Sequence, residues 1–196
     1  MNALLALSRA IDAVNARIGR TMIWLVLAAV LISTGNAIFR KAFDMSSNAF
    51  LETQWYLFSA IFLLCSPYTL QRNEHIRIDV VAGRLSNRTQ TWIDVFGTLF
   101  FLLPMAILIA YLSWDVFLRA WSINEVSTNA GGLVIWPARL LVPVGFGLLV
   151  LQGVSQLIKL AAHLSGKGPD PNLKHDPAEM EKELAEAILR ERGEKA

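Results

Sequence analysis

Long uncharged runs divide this chain into four apolar blocks. They cover residues 21–39, 53–71, 95–114 and 140–158, and each is about 20 residues long, the length of helix that crosses a hydrocarbon core. A membrane β-barrel would instead show many short segments of alternating polarity. The pattern therefore predicts an all-α integral membrane protein whose four transmembrane helices lie within residues 21–160.

The composition supports this class and limits the alternatives. Hydrophobic residues make up 54% of the chain and charged residues 17%, which is too apolar for a soluble domain of this size. Cys65 is the one cysteine and falls inside the second run, so neither a disulfide framework nor a Cys-x-x-Cys redox pair is available. No Walker motif is present, which excludes ATP chemistry of that kind.

Residues 1–20 show a helical rather than a continuous apolar pattern. One face carries five apolar residues at helical spacing: Leu4, Leu7, Ile11, Val14 and Ile18. We interpret this segment as an amphipathic helix lying in the membrane interface. A secretory signal is the alternative, but here the positive charges follow the first apolar residues instead of preceding them.

The distribution of positive charge predicts the orientation. With the N-terminus inside, fourteen of the 18 Lys and Arg residues fall on the inner side of the membrane. The excess of positive charge marks the cytoplasmic side, so both termini are expected there. Residues 161–196 then form a soluble cytoplasmic tail, with a charged helix predicted to begin near Asp176 and to end near Arg192.

The second apolar run has a polar face at the end predicted to be outer. Glu52, Tyr56 and Ser59 recur at intervals of four and three residues, which places them on one side of a helix. We predict that this face contacts protein. An ion-coupling carboxylate at Glu52 is the functional alternative, since an acidic residue at a membrane boundary can serve a transport pathway.

The predicted inner loop after this helix is densely charged. His75, Arg77 and Asp79 alternate with apolar residues, and a loop that only had to be basic would not need its acidic members. We interpret the loop as a docking surface; the alternative is a solvated loop that contacts lipid headgroups. A metal site at His75 is disfavoured because no second His or Cys lies at ligand spacing.

The predicted outer loop and the last apolar run supply the remaining candidates. Glu125 and Ser127 lie in a polar loop that contains Gly131-Gly132, a turn signal, and Trp136-Pro137 is expected to start the fourth helix because proline suits a first turn. The third helix is expected to continue to Ser122 and to bend near Pro104. Within the fourth helix, small and polar residues predict close helix packing: Gly145, Gly147, Gln152, Gly153, Ser155 and Gln156.

These pieces together resemble a known family. Glu52, the sequence Asn-Glu-His-Ile-Arg-Ile-Asp-Val at 73–80, Glu125-Val-Ser127 and Trp136-Pro137 followed by Pro-Val-Gly-Phe at 143–146 are similar to the small membrane subunit of tripartite ATP-independent periplasmic (TRAP) transporters. The resemblance covers roughly residues 20–160, and its most specific part is the segment around His75, Arg77 and Asp79.

The resemblance implies a non-catalytic subunit without cofactor or metal. A periplasmic substrate-binding protein would capture a solute, usually a carboxylate, and deliver it to a large multi-span subunit driven by an ion gradient, typically of sodium. The small subunit would brace the large one in a bacterial or archaeal inner membrane, among lipids and without nucleic acid. The positions that the resemblance carries over are interface or architecture residues: Glu52, His75, Arg77, Asp79, Glu125, Ser127, Trp136 and Pro137.

Two other functional classes fit a chain of four spans. A haem- or quinone-linked anchor subunit of a redox enzyme would need paired histidines inside the helices, but His75, His163 and His175 all fall outside the apolar runs. An independent channel or exporter would need a polar stripe along the whole depth of a helix, whereas the polar faces here are confined to helix ends.

Overall fold

The computed structural model describes residues 2–43, 47–73 and 86–166. Its elements are α1 (Asn2–Phe43), α2 (Asn48–Gln71), α3 (Asn87–Gly97), a π-helical turn (Thr98–Leu102), α4 (Leu103–Ser122) and α5 (Trp136–Leu164). α3, the π-helical turn and α4 follow one another without a break and are called the third span below. Within these residues, four helices are long and apolar enough to cross a membrane, so the predicted all-α class with four transmembrane helices is confirmed.

α1 joins two segments that the sequence pattern separates. It runs for 42 residues, which corresponds to a rod of about 63 Å at the usual helical rise. The predicted interfacial helix and the predicted first span therefore form one continuous helix. The position of residues 2–20 in the membrane interface stays a prediction, and the predicted tail helix lies outside the described residues.

The third span ends where the pattern predicts, at Ser122, and is irregular near its middle. Pro104 lies in the first turn of α4, directly after the π-helical turn Thr98–Leu102. Proline has no amide hydrogen to donate to the preceding turn, and a helix can accommodate such a missing bond by a local widening. The sequence signal at Pro104 thus coincides with an irregular turn.

α5 holds the described helices together. α1 and α2 pack against each other and both pack against α5, while the third span has its extensive contacts with α5 alone. The helices consequently form an open arrangement rather than a closed four-helix bundle. The surface of the third span is largely apolar and exposed, with Phe101 67% and Tyr111 71% accessible.

Close helix approach depends on particular glycines. A Cβ atom at Gly145 of α5 would lie 2.8 Å from the Cβ of Leu63 on α2, and one at Gly19 of α1 would lie 2.5 Å from Tyr68. A Cβ atom at Gly153 would lie 2.9 Å from the Cδ2 atom of Leu103 in the third span. The prediction of close packing is confirmed at Gly145 and Gly153, whereas Gly147 has open space around it.

Candidate functional site

A buried carboxylate lies at the start of α2. Glu52 is only 4% exposed, and its two oxygens accept three hydrogen bonds from the loop at residues 123–135. Ser127 Oγ and Asn129 Nδ2 donate to Oε1, the latter over 2.8 Å, and the backbone amide of Leu133 donates to Oε2 over 2.6 Å. Charge-assisted bonds of this kind are stronger than neutral ones. Glu52 therefore fixes the loop to α2.

The loop that surrounds Glu52 is a tight reversal of the chain. Val126 and Val134 form an antiparallel bridge, and the amide of Ser127 donates to the carbonyl of Leu133 over 2.9 Å. Gly131 adopts a positive φ of 70°, which suits glycine because it has no Cβ. A Cβ at Gly132 would lie 2.5 Å from the Cβ of Ser127. The predicted turn at Gly131-Gly132 is confirmed, and it is closely packed.

Two further side chains of α2 hold the same loop. The hydroxyl of Tyr56, one turn after Glu52, donates to the carbonyl of Val134 over 3.0 Å. The Nδ2 atom of Asn48 donates to the carbonyl of Ala130 over 3.0 Å. We name this set of contacts the loop clasp, and its members are Asn48, Glu52, Tyr56, Ser127, Asn129 and Leu133.

Glu125 joins the loop to the fourth predicted span. Its carboxylate accepts two hydrogen bonds from the guanidinium of Arg139, over 2.5 and 2.7 Å. Both side chains are partly exposed, at 27% and 34%, so this ion pair is screened by solvent and contributes less than a buried one would. The planar two-pronged geometry nevertheless fixes the direction in which the loop enters α5.

Trp136 and Pro137 begin α5 as the sequence predicts. The ring of Trp136 meets the ring of Trp121, at the end of α4, edge to face with centroids 4.4 Å apart. Aromatic pairs of this geometry stabilise by about 0.5–1.5 kcal/mol beyond the area they bury. The contact holds together the two helix ends from which the loop starts and finishes.

The structure thus brings together most of the predicted interface residues. Glu52, Tyr56 and Ser127 lie in the loop clasp, with Glu125 and the helix start at Trp136 and Pro137 adjacent to it in the chain. Ser59 lies half-buried farther along α2 and outside these contacts. The remaining predicted residues are outside the described part of the chain: His75, Arg77 and Asp79.

Three members of this end of the molecule were missing from the predicted site. Asn48, Asn129 and Arg139 each contact a residue distant in sequence. Helical spacing placed Asn48 and Glu52 one turn apart, but nothing in the sequence indicated which loop atoms they reach.

A second polar cluster lies at the opposite end of the helices, between α1 and α5. Asp12 accepts hydrogen bonds from Gln152 over 2.9 Å and from Ser155 over 2.8 Å, and its carboxylate pairs with Lys159 at 3.0 Å. The cluster contains two further hydrogen bonds, one between Ser8 Oγ and Ser155 Oγ at 2.7 Å and one from Asn15 Nδ2 to Gln152 Oε1 at 2.7 Å. We call these residues the α1/α5 polar network: Ser8, Asp12, Asn15, Gln152, Ser155 and Lys159.

In this part of α1 the polar side chains are buried and the apolar side chains are exposed, which is the reverse of an amphipathic helix in a soluble protein. Ser8 and Asn15 are 1% and 2% exposed, whereas Leu7 and Val14 are about half exposed. In a membrane protein the lipid side is apolar, so polar groups gain by turning toward another helix. The spacing of Ser8, Asp12 and Asn15 at four and three residues was the available signal for this contact.

The described residues provide no arrangement for metal chemistry. Within residues 2–43, 47–73 and 86–166, no group of three or more His, Cys, Asp or Glu side chains could hold a metal ion. The Glu52 carboxylate already accepts bonds from three protein donors, and the geometry therefore favours an architectural role for it.

Comparison with known protein families gives an independent result. The model of one family, described as "Tripartite ATP-independent periplasmic transporters, DctQ component", matches residues 29–163. The chain belongs to this family. The same comparisons found no curated protein and no solved structure that matches the chain.

The family match confirms the resemblance to the small TRAP subunit and includes the entire loop clasp. It also includes the α5 side of the α1/α5 polar network. The α1 side of that network, with Ser8, Asp12 and Asn15, precedes the matched range. The DctQ component match therefore covers all residues of the loop clasp but only the α5 residues of the α1/α5 polar network.

Proposed function

We propose that this chain is the small, non-catalytic membrane subunit of a TRAP uptake transporter. It braces the large multi-span subunit and helps to dock the periplasmic substrate-binding protein. Sodium as the coupling ion and a carboxylate as the solute follow from the family resemblance and are part of the proposal. The observation that carries it is the DctQ component match over residues 29–163, together with a helix arrangement that leaves broad apolar surfaces uncovered.

The open arrangement of helices supports the bracing role. α2 and the third span both pack on α5, and between them lies a recess of about 560 Å³. Its walls include Ser66 of α2, Phe101 and Met105 of the third span, and Phe146 of α5. Helices gain from close packing with other helices in a bilayer. We expect a helix of the large subunit to lie along this surface.

The loop clasp supports the docking role. A loop held by charge-assisted bonds presents a fixed shape, and a preordered surface loses less conformational entropy when a partner binds. Glu125 and Arg139 add charged groups of both signs that remain partly exposed beside the loop. We propose that this end of the molecule meets the periplasmic binding protein.

Co-purification tests the proposed function. The tagged chain, solubilised from native membranes, is expected to retain a membrane subunit of about twelve spans, a size taken from the resemblance, and to capture a soluble periplasmic binding protein. Mass spectrometry identifies both partners. Isolation of this chain without any such subunit would contradict the proposal, and a Soret band in its visible spectrum would favour a haem-binding anchor instead.

The orientation in the membrane is part of the proposal. α1 begins and α5 ends at the same end of the molecule, and the excess of Lys and Arg near that end favours the cytoplasm. In a Cys65→Ala background, a membrane-impermeant maleimide is expected to label Ile123→Cys in intact cells and Ser165→Cys only after lysis. Labelling of Ser165→Cys in intact cells would reverse the orientation.

The segment with His75, Arg77 and Asp79 remains a proposed cytoplasmic docking surface. Arg77 is expected to make a planar two-pronged contact that lysine cannot reproduce, and Asp79 is expected to be paired. Arg77→Lys and Asp79→Asn should each weaken assembly, because removing one member of an interface charge pair costs about 2–5 kcal/mol. Transport rates and co-purification measure the effect. Wild-type values for both single variants and for the double variant would favour the alternative, a solvated loop that contacts lipid headgroups.

A further inference from the structure

Arg72, at the end of α2, is held in place by the residue one turn before it. Its Nε atom donates to the hydroxyl of Tyr68 over 3.1 Å, and its Cζ atom lies over the Tyr68 ring, 5.4 Å from the centroid. A guanidinium at this distance is attracted to the face of an aromatic ring. The ring in turn packs against α1, where a Cβ at Gly19 would lie 2.5 Å from its Cγ atom. The guanidinium of Arg72 therefore has a defined position beside the contact between α1 and α2.

These two side chains have donors that the described residues do not use. The oxygen of Tyr68 accepts from Arg72, so its own O–H is left to donate. Of the five N–H groups of the Arg72 guanidinium, the one on Nε is taken by this bond, and the described residues offer no acceptor to the other four. The unused donors lie next to each other because they belong to hydrogen-bonded partners. Such an arrangement suits an anionic oxygen, which forms stronger bonds with a guanidinium than a neutral acceptor does.

Arg20 of α1 brings a second guanidinium to the same end of this helix pair. Its Nε atom donates to the carbonyl of Ala16 over 3.2 Å, so the side chain folds back by one turn toward the start of α1. Only residues 44–47 separate α1 from α2, and the two packed helices consequently run in opposite directions. One turn back along α1 and one turn forward along α2, from Tyr68 to Arg72, therefore lead toward the same end of the molecule.

The positive charge at this place is not neutralised by the described residues. Arg20 and Arg72 are both exposed, and neither pairs with a carboxylate in the ranges that the structure describes. Asp12, the acidic residue of this part of α1, is already paired with Lys159. Two unpaired guanidinium groups and a hydroxyl donor thus surround one position that favours an anion.

The face of α1 that carries Arg20 continues as an exposed apolar stripe. Ile23, Trp24 and Leu27 follow at three, four and seven residues, so helical spacing places them on the same side as Arg20. They are 68%, 69% and 47% exposed. The stripe extends for about 10 Å beyond Arg20 into the first apolar run, at the usual helical rise. A cation at the membrane boundary followed by an apolar stripe matches the headgroup and the acyl chain of a phospholipid.

The stripe also distinguishes between possible anions and between possible partners. A soluble phosphate ion has no part that could cover Ile23 or Leu27, whereas a phospholipid does. The recess that we assign to the large subunit is lined by α2, the third span and α5, and no residue of α1 is among its described lining residues. This face of α1 is therefore left to lipid.

We propose that an anionic phospholipid binds here, with its phosphate at the guanidinium groups of Arg20 and Arg72 and at the hydroxyl of Tyr68. One acyl chain follows Ile23 and Leu27 toward the centre of the bilayer. The lipid belongs to the leaflet at the end where α1 begins, which is the cytoplasmic leaflet in the proposed orientation. Basic pockets between membrane helices on that side are known to hold anionic headgroups.

Lipid titration of the purified full-length chain, followed by native mass spectrometry, tests the charge. We expect the wild type to bind phosphatidylglycerol about fivefold or more tightly than phosphatidylcholine with the same acyl chains, because choline brings a cation beside the two arginines. Arg20→Gln and Arg72→Gln should each weaken phosphatidylglycerol binding by about fivefold, the contribution of one basic residue near a membrane surface. Arg40→Gln, which removes an exposed arginine at the opposite end of α1, should leave it unchanged.

Tyr68→Phe tests the position of the headgroup rather than the charge. It removes the hydroxyl that holds Arg72 and donates to the phosphate, but it keeps the ring that packs against Gly19. We expect phosphatidylglycerol to bind about two- to fivefold more weakly, the range for a lost hydrogen bond, at an unchanged temperature of unfolding. Tyr111→Phe is the matched control, because Tyr111 is an exposed tyrosine of α4. Its affinity should equal that of the wild type.

Three results would overturn the inference. They are equal affinity of the wild type for the two lipids, an equal loss in Arg40→Gln and Arg72→Gln, and displacement of phosphatidylglycerol by excess inorganic phosphate, which would indicate a site for a soluble anion. The titration uses this chain alone, so its result is independent of the proposed function. Failure of the chain to co-purify with a large subunit would contradict that function and leave the lipid site standing.

Discussion

Replacing Glu52 by glutamine is expected to release the loop at residues 123–135. The carboxylate accepts from Ser127, Asn129 and Leu133, so the amide of a glutamine would place its own donor against at least one of these donors. Hydrogen exchange at the Leu133 amide should accelerate by about tenfold or more, because a bond to a charged group is lost and the loop opens more often. Exchange mass spectrometry measures this directly.

The functional consequence of Glu52→Gln should be selective. Capture of the periplasmic binding protein is expected to fall severalfold, while the helices of the membrane region remain assembled with the large subunit. Asp115→Asn is the matched control, because Asp115 is an exposed carboxylate of α4 outside the loop clasp. Equal effects of the two substitutions, or unchanged exchange at Leu133 in Glu52→Gln, would contradict the role assigned to the loop clasp.

Replacing Gly145 by alanine is expected to separate α2 from α5. The new Cβ would lie 2.8 Å from the Cβ of Leu63 and 3.0 Å from its carbonyl oxygen, and the backbone there cannot yield without moving a helix. Overpacking of this kind typically costs about 1–3 kcal/mol. The temperature of unfolding of the purified chain, followed by tryptophan fluorescence, should fall.

Gly147→Ala provides the control on the same helix. Nothing lies within 4 Å of a Cβ built at Gly147, and alanine has a higher helix propensity than glycine. We expect its unfolding temperature to be unchanged or slightly raised. If the two alanine variants behave alike, the close contact between Gly145 and Leu63 does not determine the packing of α5.

The α1/α5 polar network holds two of the described helices against each other. Its hydrogen bonds join the first and the last described helices, α1 and α5. At the other end of the helices, the loop clasp joins α2 to the loop at residues 123–135. A small membrane subunit without a closed core can thus be held together by polar contacts at its two ends, while its apolar sides remain available to partners.

The sequence by itself determined the class of protein and the order of its helices. Four uncharged runs of about 20 residues predict four spans, because an apolar helix of this length can satisfy its backbone inside a bilayer. Where a helix begins or ends depends mainly on neighbouring residues in the sequence. For that reason the predicted helix end at Ser122 and the predicted helix start at Trp136-Pro137 are confirmed. The family resemblance rested on short motifs, and the match over residues 29–163 confirms it.

Only the tertiary structure decided which groups meet. Helical spacing placed Glu52 and Tyr56 on one face, but their partners Ser127 and Val134 are more than seventy residues away, and no local rule connects such positions. Helical spacing likewise could not show that Gly145, and not Gly147, contacts a neighbouring helix. Both positions are glycines on the same helix, and they differ only in the direction they face. Periodicity assigns a residue to a face of its own helix; which other helix covers that face depends on how all the helices pack.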